Sequence, residues 1–419
     1  MLTALSNALK VKELRKRILF IFAMITVYRL GAFVPVPGVD PGQFQELIEA
    51  GGILGLLDMF TGGALQRFTI FAMGISPYIT ASIIMNLLTV VIPRLEQLQK
   101  EGPEGRKIIA QYTRYATVVL GLVQGIGFTA FIQNMGAIPD PNIWSLGIIV
   151  LTLTAGTAFL MWLGEQITEK GIGNGISILI FTSIISVYPS VFFDTIERFQ
   201  LGTVTIWNLL IFVVAGLALV AAIIFVQQGE RRIPVQYSKR VVGRRIYGGR
   251  STHIPMKVNQ AGVIPVIFAS SVLAFPVTIA QLLPYGWAQS LANALQPEGA
   301  LYLTTFALMI IFFTYFYTAI TFNPQEVSDN IKKYGGFVPG LRPGRSTASY
   351  MDRILTRITL AGAVFLAIVA ILPNFMLPLT QINIEFGGTS LLIVTGVALE
   401  TMKQIESHLL MRHYEGFMR

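Results

Sequence analysis

Apolar positions along the chain fall into long uncharged runs separated by turns and charges, and the run from Phe68 to Ile92 is the most informative. It reads FTIFAMGISPYITASIIMNLLTVVI, twenty-five residues without a formal charge. At a helical rise of about 1.5 Å per residue this length covers a hydrocarbon core of about 30 Å, so the pattern predicts a membrane span. A span facing only lipid has little use for Ser76, Pro77, Thr80, Ser82 and Asn86, which predict a face turned toward protein or water. Ile75 and Ile79 are four apart and share one face. The preceding run, Ile53 to Phe60, is apolar but too short to cross, and Gly51, Gly52, Gly62 and Gly63 punctuate its ends. It predicts a re-entrant element whose glycines act as hinges, either a fixed cap or a movable stopper.

Ten such runs are predicted as spans, beginning near Ile18, Phe68, Ile108, Ile143, Ile176, Leu209, Val263, Leu301, Ile354 and Thr389. Pro189 breaks the fifth and Glu400 interrupts the tenth. An even number places both termini on one side. Basic residues then set the orientation, because Lys and Arg are retained in cytoplasmic loops. The N-terminal tail carries Lys10, Lys12, Arg15, Lys16 and Arg17, and the loop after the second run carries Arg94, Lys100, Arg106 and Lys107. Between runs six and seven lie Arg231, Arg232, Lys239, Arg240, Arg244, Arg245, Arg250 and Lys257, and the next loop on that side adds Lys332, Lys333, Arg342, Arg345 and Arg353. The opposite loops offer only Arg67 and Arg198. Both termini are therefore expected in the cytoplasm.

Composition agrees with a polytopic membrane class: 53% of the 419 residues are hydrophobic, 13% are charged, and mean hydropathy is +0.64. The basic N-terminal segment leads into its first apolar run without a small-residue cleavage site, so that run is expected to be retained. Zero cysteines exclude disulfides, thiolate metal sites and a cysteine nucleophile. There is no phosphate loop, HExxH or GxSxG, and His253, His408 and His413 lack a spaced carboxylate or thiol set; no enzyme, metal or cofactor is expected. GIGNGIS at Gly171–Ser177 lacks a preceding strand and reads as a tight helix entry. An ion-coupled carrier of small solutes, the alternative, needs ionisable groups near mid-membrane, whereas Arg29, Arg114 and Glu165 sit at the ends of runs.

The middles of the runs hold isoleucine instead. Ile176 and Ile180 share a face of run five as Ile75 and Ile79 do of run two, Ile267 follows Ile264-Pro265, and Ile393 lies in run ten. Each could simply face lipid; if the six converge, they form a constriction closed to water by dewetting. The segments Gln227–Gln260 and Asn323–Asp352 exceed what connection requires. The first alternates Tyr, Val and Ile with basic residues, as in a hairpin, and the second carries Pro-Gly corners around Arg342. They read either as basic loops attracted to anionic lipid or as a docking surface.

Several ordered stretches carry a resemblance: FVPVPGVD (Phe33–Asp40), GISPYITASII (Gly74–Ile84), QYTRYATVVL (Gln111–Leu120), MWLGEQITEKGIGNGISI (Met161–Ile178), STHIPMKVNQAGVIPVIFASS (Ser251–Ser271), FNPQEVSDNIKKYGGFVPGLRPG (Phe322–Gly344) and FGGTSLLIV (Phe386–Val394). Together they resemble, essentially from end to end, the SecY family of channel subunits of the bacterial Sec translocon. The resemblance implies an all-α membrane protein of ten helices in two pseudo-symmetric halves, 1–193 and 194–406, around a central pore, with a cytoplasmic tail at 407–419. It implies passage of unfolded secretory polypeptides across the cytoplasmic membrane, with lateral release of apolar segments into the bilayer. The family's pore ring falls on Ile75, Ile79, Ile176, Ile180, Ile267 and Ile393. Its plug falls on Ile53, Leu54, Leu56, Leu57, Met59 and Phe60, with a flank to Arg67. Its lateral gate falls on the helices of Thr80, Asn86 and Phe275. Arg240, Arg244, Arg245, Lys332, Lys333 and Arg342 fall on surfaces that dock the SecA motor or the ribosome, where an arginine can hold carboxylate or phosphate in two-pronged fashion. The implied partners are SecE-like and SecG-like small subunits, the motor, the ribosome, a signal-sequence-bearing polypeptide and membrane lipid.

Overall fold

The computed structural model describes residues 10–40, 42, 58–134, 136–237, 240–242, 245–247, 251–282, 286, 290, 294–296, 299–380 and 388–417. Each of the ten apolar runs carries a helix, and most begin within a few residues of the expected start. These are α1 (Lys12–Gly31), α2 (Ser76–Val91), α4 (Pro103–Asn134), α5 (Ile143–Lys170), α6 (Gly175–Gln200), α7 (Ile206–Gln228), α8 (Ile264–Leu282), α9 (Ala300–Thr321), α11 (Arg345–Thr380) and α12 (Gly388–Phe417). Two short helices, α3 (Pro93–Lys100) and α10 (Pro324–Lys333), lie between them. Among the described residues six helices are long and apolar enough to cross a membrane, and α2 with α3, bent by 99°, makes a further candidate.

The run at Phe68 departs from expectation. Its first eight residues are not helical: Phe68 and Gly74 hold positive φ (44° and 56°), and the helix starts only at Ser76, with Pro77 in its first turn. The cause is packing. Residues 68–75 cross α5 at Gly156, where a Cβ would lie 1.8 Å from the Ile70 carbonyl oxygen. The ring of Phe71 fills the space beside Gly31 and stacks between Tyr28 (5.9 Å) and Phe159 (6.0 Å). Thr69 bridges to Pro35, with Val36 N–H donating to Phe68 O (3.0 Å) and Ile70 N–H to Val34 O (3.0 Å). Sixteen residues, not twenty-five, form α2.

Two other expected interruptions are absent. Helix α6 continues through Pro189 and α12 through Glu400, which is exposed and so carries no burial cost. Helix α12 also runs on to Phe417, through most of the segment expected as a tail. The GIGNGIS entry is confirmed: Asn174 caps α6 by accepting from Ile176 N–H (3.0 Å) and Ser177 N–H (3.3 Å). Gly175 is required there, since a Cβ would meet the Gly164 carbonyl oxygen of α5 at 1.9 Å. Many hydroxyls within the spans bond back along their own helices, as Thr113, Thr117 and Thr129 of α4 do, leaving these satisfied in an apolar setting.

The two long basic loops fold together, which neither loop's pattern announced. Strand β1 (Glu230–Tyr237) pairs antiparallel with β4 (Ser251–Lys257) from Glu230↔Lys257 to Gln236↔Ser251, as the alternation predicted. A second hairpin, β2 (Arg240–Val242) with β3 (Arg245–Tyr247), extends it. The other edge of β1 takes β5 (Gly336–Phe337) from the later loop, through Gln236↔Phe337 and Tyr237↔Gly336. A small core of Ile233, Val235, Met256, Ile331, Val338, Met351 and Leu355 joins this sheet to α10 and the start of α11.

The close approach of α6 to α5 at Gly175 generates a prediction. Gly175→Ala should lower the thermal midpoint of the purified protein, because the added methyl forces apart α5 and α6 at a cost of about 1–3 kcal/mol. An unchanged midpoint would show that this crossing is looser than described.

Candidate functional site

All six isoleucines meet in one apolar cluster. Ile75, at the N-cap of α2, Ile180 of α6, Ile267 of α8 and Ile393 of α12 are buried, while Ile79 and Ile176 pack against them half-buried. Tyr28 of α1, Leu160, Leu163 and Ile167 of α5, and Val397 of α12 complete its walls. Its members among the described residues are all uncharged, so they offer neither an ion pair nor a carboxylate ligand. What it can do is exclude water and yield, since branched aliphatic side chains part without breaking specific bonds. Ile176 reaches outward as well, its Cδ1 seated against Gly164.

Of the six residues expected in the plug, Ile53, Leu54, Leu56 and Leu57 lie outside the described residues. Met59 is buried and Phe60 packs against the isoleucine cluster, both in a single helical turn at 58–61. From there the chain turns back through Gly62 (φ 69°) and Gly63 (φ 82°). Asp58 fixes this turn: its Oδ1 accepts from Gln66 N–H (2.8 Å) and Thr61 Oγ1 (3.3 Å), and its carbonyl accepts from Gly63 N–H (3.1 Å). Burial pushes the Asp58 carboxyl above its ordinary range, against the lowering effect of those bonds and of Arg67. The turn is held from outside too. Tyr28 donates to the Thr61 carbonyl (3.0 Å) and lies 2.5 Å from Ser183 Oγ. Arg29 Nη1 donates to the Gly62 carbonyl (3.0 Å) and to Ser186 Oγ (2.9 Å).

The residues expected at the lateral gate are placed less simply. Helices α2 and α8 do pack together, and a second apolar cluster joins Ile83 of α2 to Val266, Phe268, Ala269 and Leu273 of α8, with α9, α11 and α12 behind. Thr80, however, donates back to Ser76 O (3.0 Å) within α2, so its hydroxyl is satisfied locally. Asn86 is half-buried nearby. Phe275 belongs to α8, and its side chain lies outside the described residues. The seam is thus apolar.

At the basic end, Lys332 and Lys333 close the last turn of α10, where positive charge suits the helix C-terminus, and both are exposed. Arg342 is exposed at a corner built by Gly340 (φ 82°) and Gly344 (φ 104°) and pinned by Thr347 Oγ1 donating to Arg342 O (2.9 Å). By backbone register Arg240 sits at the open end of the β2–β3 hairpin and Arg245 beside its turn; Arg244 lies outside the described residues. Because β5 joins β1, the loop carrying Lys332, Lys333 and Arg342 is bonded to the strand that precedes the β2–β3 hairpin.

A SecY family model matches residues 69–402. The chain belongs to the SecY family. The protein translocase subunit SecY of Streptomyces scabiei is 51% identical over the whole of both chains. Among solved structures, a SecY protein whose plug domain is described as stabilising the closed state of the translocation channel and maintaining a membrane seal aligns with TM-score 0.67 at 17% identity, covering 93% of this chain and 91% of its own. Sec61 in a canine ribosome-channel complex aligns with TM-score 0.64 at 16% identity over 93% and 91%. At such identities these two structures establish the SecY fold. Residue by residue, sequence reasoning found the isoleucines and missed Tyr28, Ser183 and Ser186; a tyrosine and an arginine adjacent in the last turn of an apolar helix was the available signal.

Asp58 supplies the prediction here. Asp58→Ala removes the acceptor of a buried N–H and should destabilise the fold by about 1–3 kcal/mol, whereas Asp58→Asn keeps an acceptor oxygen and should not. Its folded value is raised, so its contribution is fully present below the ordinary carboxylate value of about 3.9 and is lost as pH rises through the raised one. Thermal midpoints measured across that acid range should therefore slope downward with pH, and Asp58→Asn should remove this component. Equal destabilisation by both substitutions would contradict it.

Proposed function

We propose that this chain is the protein-conducting channel of a bacterial Sec translocon, passing unfolded secretory polypeptides across the cytoplasmic membrane and releasing apolar segments sideways into lipid. The observation that carries this reading is the convergence of six isoleucines from four separated stretches into one uncharged cluster. Four of them come from the proposed half 1–193 and two from 194–406. Parting the halves therefore widens the cluster, and closing them reseals it. In the resting channel the aliphatic collar keeps water and ions out by dewetting; around a moving chain it adapts to side chains of different size. The small-solute carrier lacks an equivalent support, as the cluster's members among the described residues include no Asp, Glu, Lys or Arg.

In this reading there are ten spans, both termini face the cytoplasm, and the two basic loops stand on that side, as their Lys and Arg content argues. The shared sheet makes them one platform. It presents Lys332, Lys333, Arg342 and the β2–β3 hairpin to a ribosome or to a SecA-like motor, which supplies the ATP chemistry. SecE-like and SecG-like helices would cover lipid-exposed faces such as that of α7, where Trp207, Leu210, Val214 and Leu217 are exposed. Segment 53–60 acts as the plug beneath the collar. Lateral release proceeds through the α2–α8 seam, whose apolar contacts an arriving apolar segment can replace one for one. Sorting follows transfer energies. A central Leu or Ile contributes about −0.3 to −0.6 kcal/mol and a charge costs about +2.5 to +3.5, so some twenty apolar residues outweigh one charge.

Ile180→Asn puts an amide into the collar and should favour the wetted state. Reconstituted channels carrying it should show raised resting ion conductance and export polypeptides with weakened signal sequences. If conductance and signal selectivity both match the parent, the collar lies elsewhere.

A further inference from the structure

Gly62 and Gly63 look like a hinge in sequence, but the surroundings of Gly62 are those of an anchor. A Cβ at position 62 would lie 2.8 Å from Ser186 Oγ, 2.9 Å from Arg29 Nη1 and 3.0 Å from the Ser183 Cα, so the backbone is pressed directly onto α6 and the end of α1. The carbonyls on either side of the 61–62 peptide are taken by Tyr28 and Arg29, which also reach Ser183 and Ser186. Beyond it, Ala64 is buried in the isoleucine cluster and Leu65 in a second one with Phe68, Ile132 and Ile149. Arg67 then lies over the Phe33 ring at 4.4 Å, with Arg29 at 5.6 Å from the same ring. The hydrogen-bonding elements of this dock, α1 and α6, and the α4 and α5 residues packed around Leu65 all come from the proposed half 1–193.

Moving residues 61–67 would strip two carbonyls of their donors, leave Arg29 half-buried without its partners and empty two apolar sites. The helical turn at 58–61 is tied to the same dock, because Asp58 accepts from Gln66 N–H (2.8 Å) and Gly63 N–H (3.1 Å). We propose that Tyr28, Arg29, Ser183 and Ser186 are positioning residues that hold Thr61–Arg67 as a fixed part of the channel wall. Gly62 and Gly63 are then part of that wall and not the pivot of the plug. The inference rests on the plug reading and divides the segment that reading treats as one.

The absence of native cysteines makes the test clean. Gly62→Cys with Ser186→Cys brings together positions within reach of a disulfide, whose Cβ atoms sit about 3.8 Å apart. In proteoliposomes holding the complete translocase, the oxidised pair should export a secretory polypeptide as fast as the reduced pair, with the same resting ion conductance. Loss of export on oxidation, regained on reduction, overturns the fixed dock. Because φ at Gly62 is positive, the cysteine there can prevent assembly, so Tyr28→Phe with Ser183→Ala provides a second arm. It should raise resting conductance while export is retained, and unchanged conductance overturns the proposal. Deleting 53–60 separates the two readings. If that deletion causes no leak, the plug reading itself fails; a leak from it together with a cross-linked channel that cannot export removes only the fixed dock.

Discussion

Non-helical backbone inside a membrane bundle has to find hydrogen-bond partners from the protein itself, and this constraint governs the core of the molecule. Residues 61–75 pass among α1, α5 and α6 without forming a helix. They survive there because Val34 and Val36 supply strand-like bonds, Thr69 bonds back to Ala64, and Tyr28 and Arg29 donate to the carbonyls of Thr61 and Gly62. Close approach demands small residues opposite: Gly31 beneath the Phe71 ring and Gly156 beneath the Ile70 carbonyl. Once this segment is set, α2 can begin only at Ser76, which puts Ile75 and Ile79 at the centre of the bundle.

The isoleucine cluster follows from that placement. Its members arrive from α2, α6, α8 and α12. Pro77 opens α2, the Asn174 cap opens α6, and Gly396 brings α12 to within close contact of Val263, just ahead of α8. A collar made this way has no polar bond to break on opening. Its specificity lies in shape and dryness, which suits a passage for chains of any sequence.

Much of this architecture was legible in the sequence because apolar runs and basic loops are driven by partition between water and lipid, a strong and local signal. The ten apolar runs, the tight helix entry at Gly171–Ser177 and a hairpin in the first long loop were all readable from pattern. The break at Phe68–Ile75 was not. Hydropathy records that a residue is buried, and cannot distinguish burial in lipid from burial under α5. Pro189 misled for a related reason: a proline is tolerated within a membrane helix when neighbours absorb the lost bond. The pairing of β5 with β1 joins residues a hundred positions apart through two backbone registers, and left no mark in either loop. Nor did Gly62 show that its missing side chain serves contact instead of motion.

The central claim is that a polypeptide threads the isoleucine cluster, and photocrosslinking tests it most directly. A photoreactive side chain at Ile79 or Ile180 would be presented to a stalled secretory polypeptide in membranes supplied with the motor and ATP. Adducts to the stalled chain from both positions are the predicted result. An engaged, stalled substrate that yields no adduct at either would contradict the account.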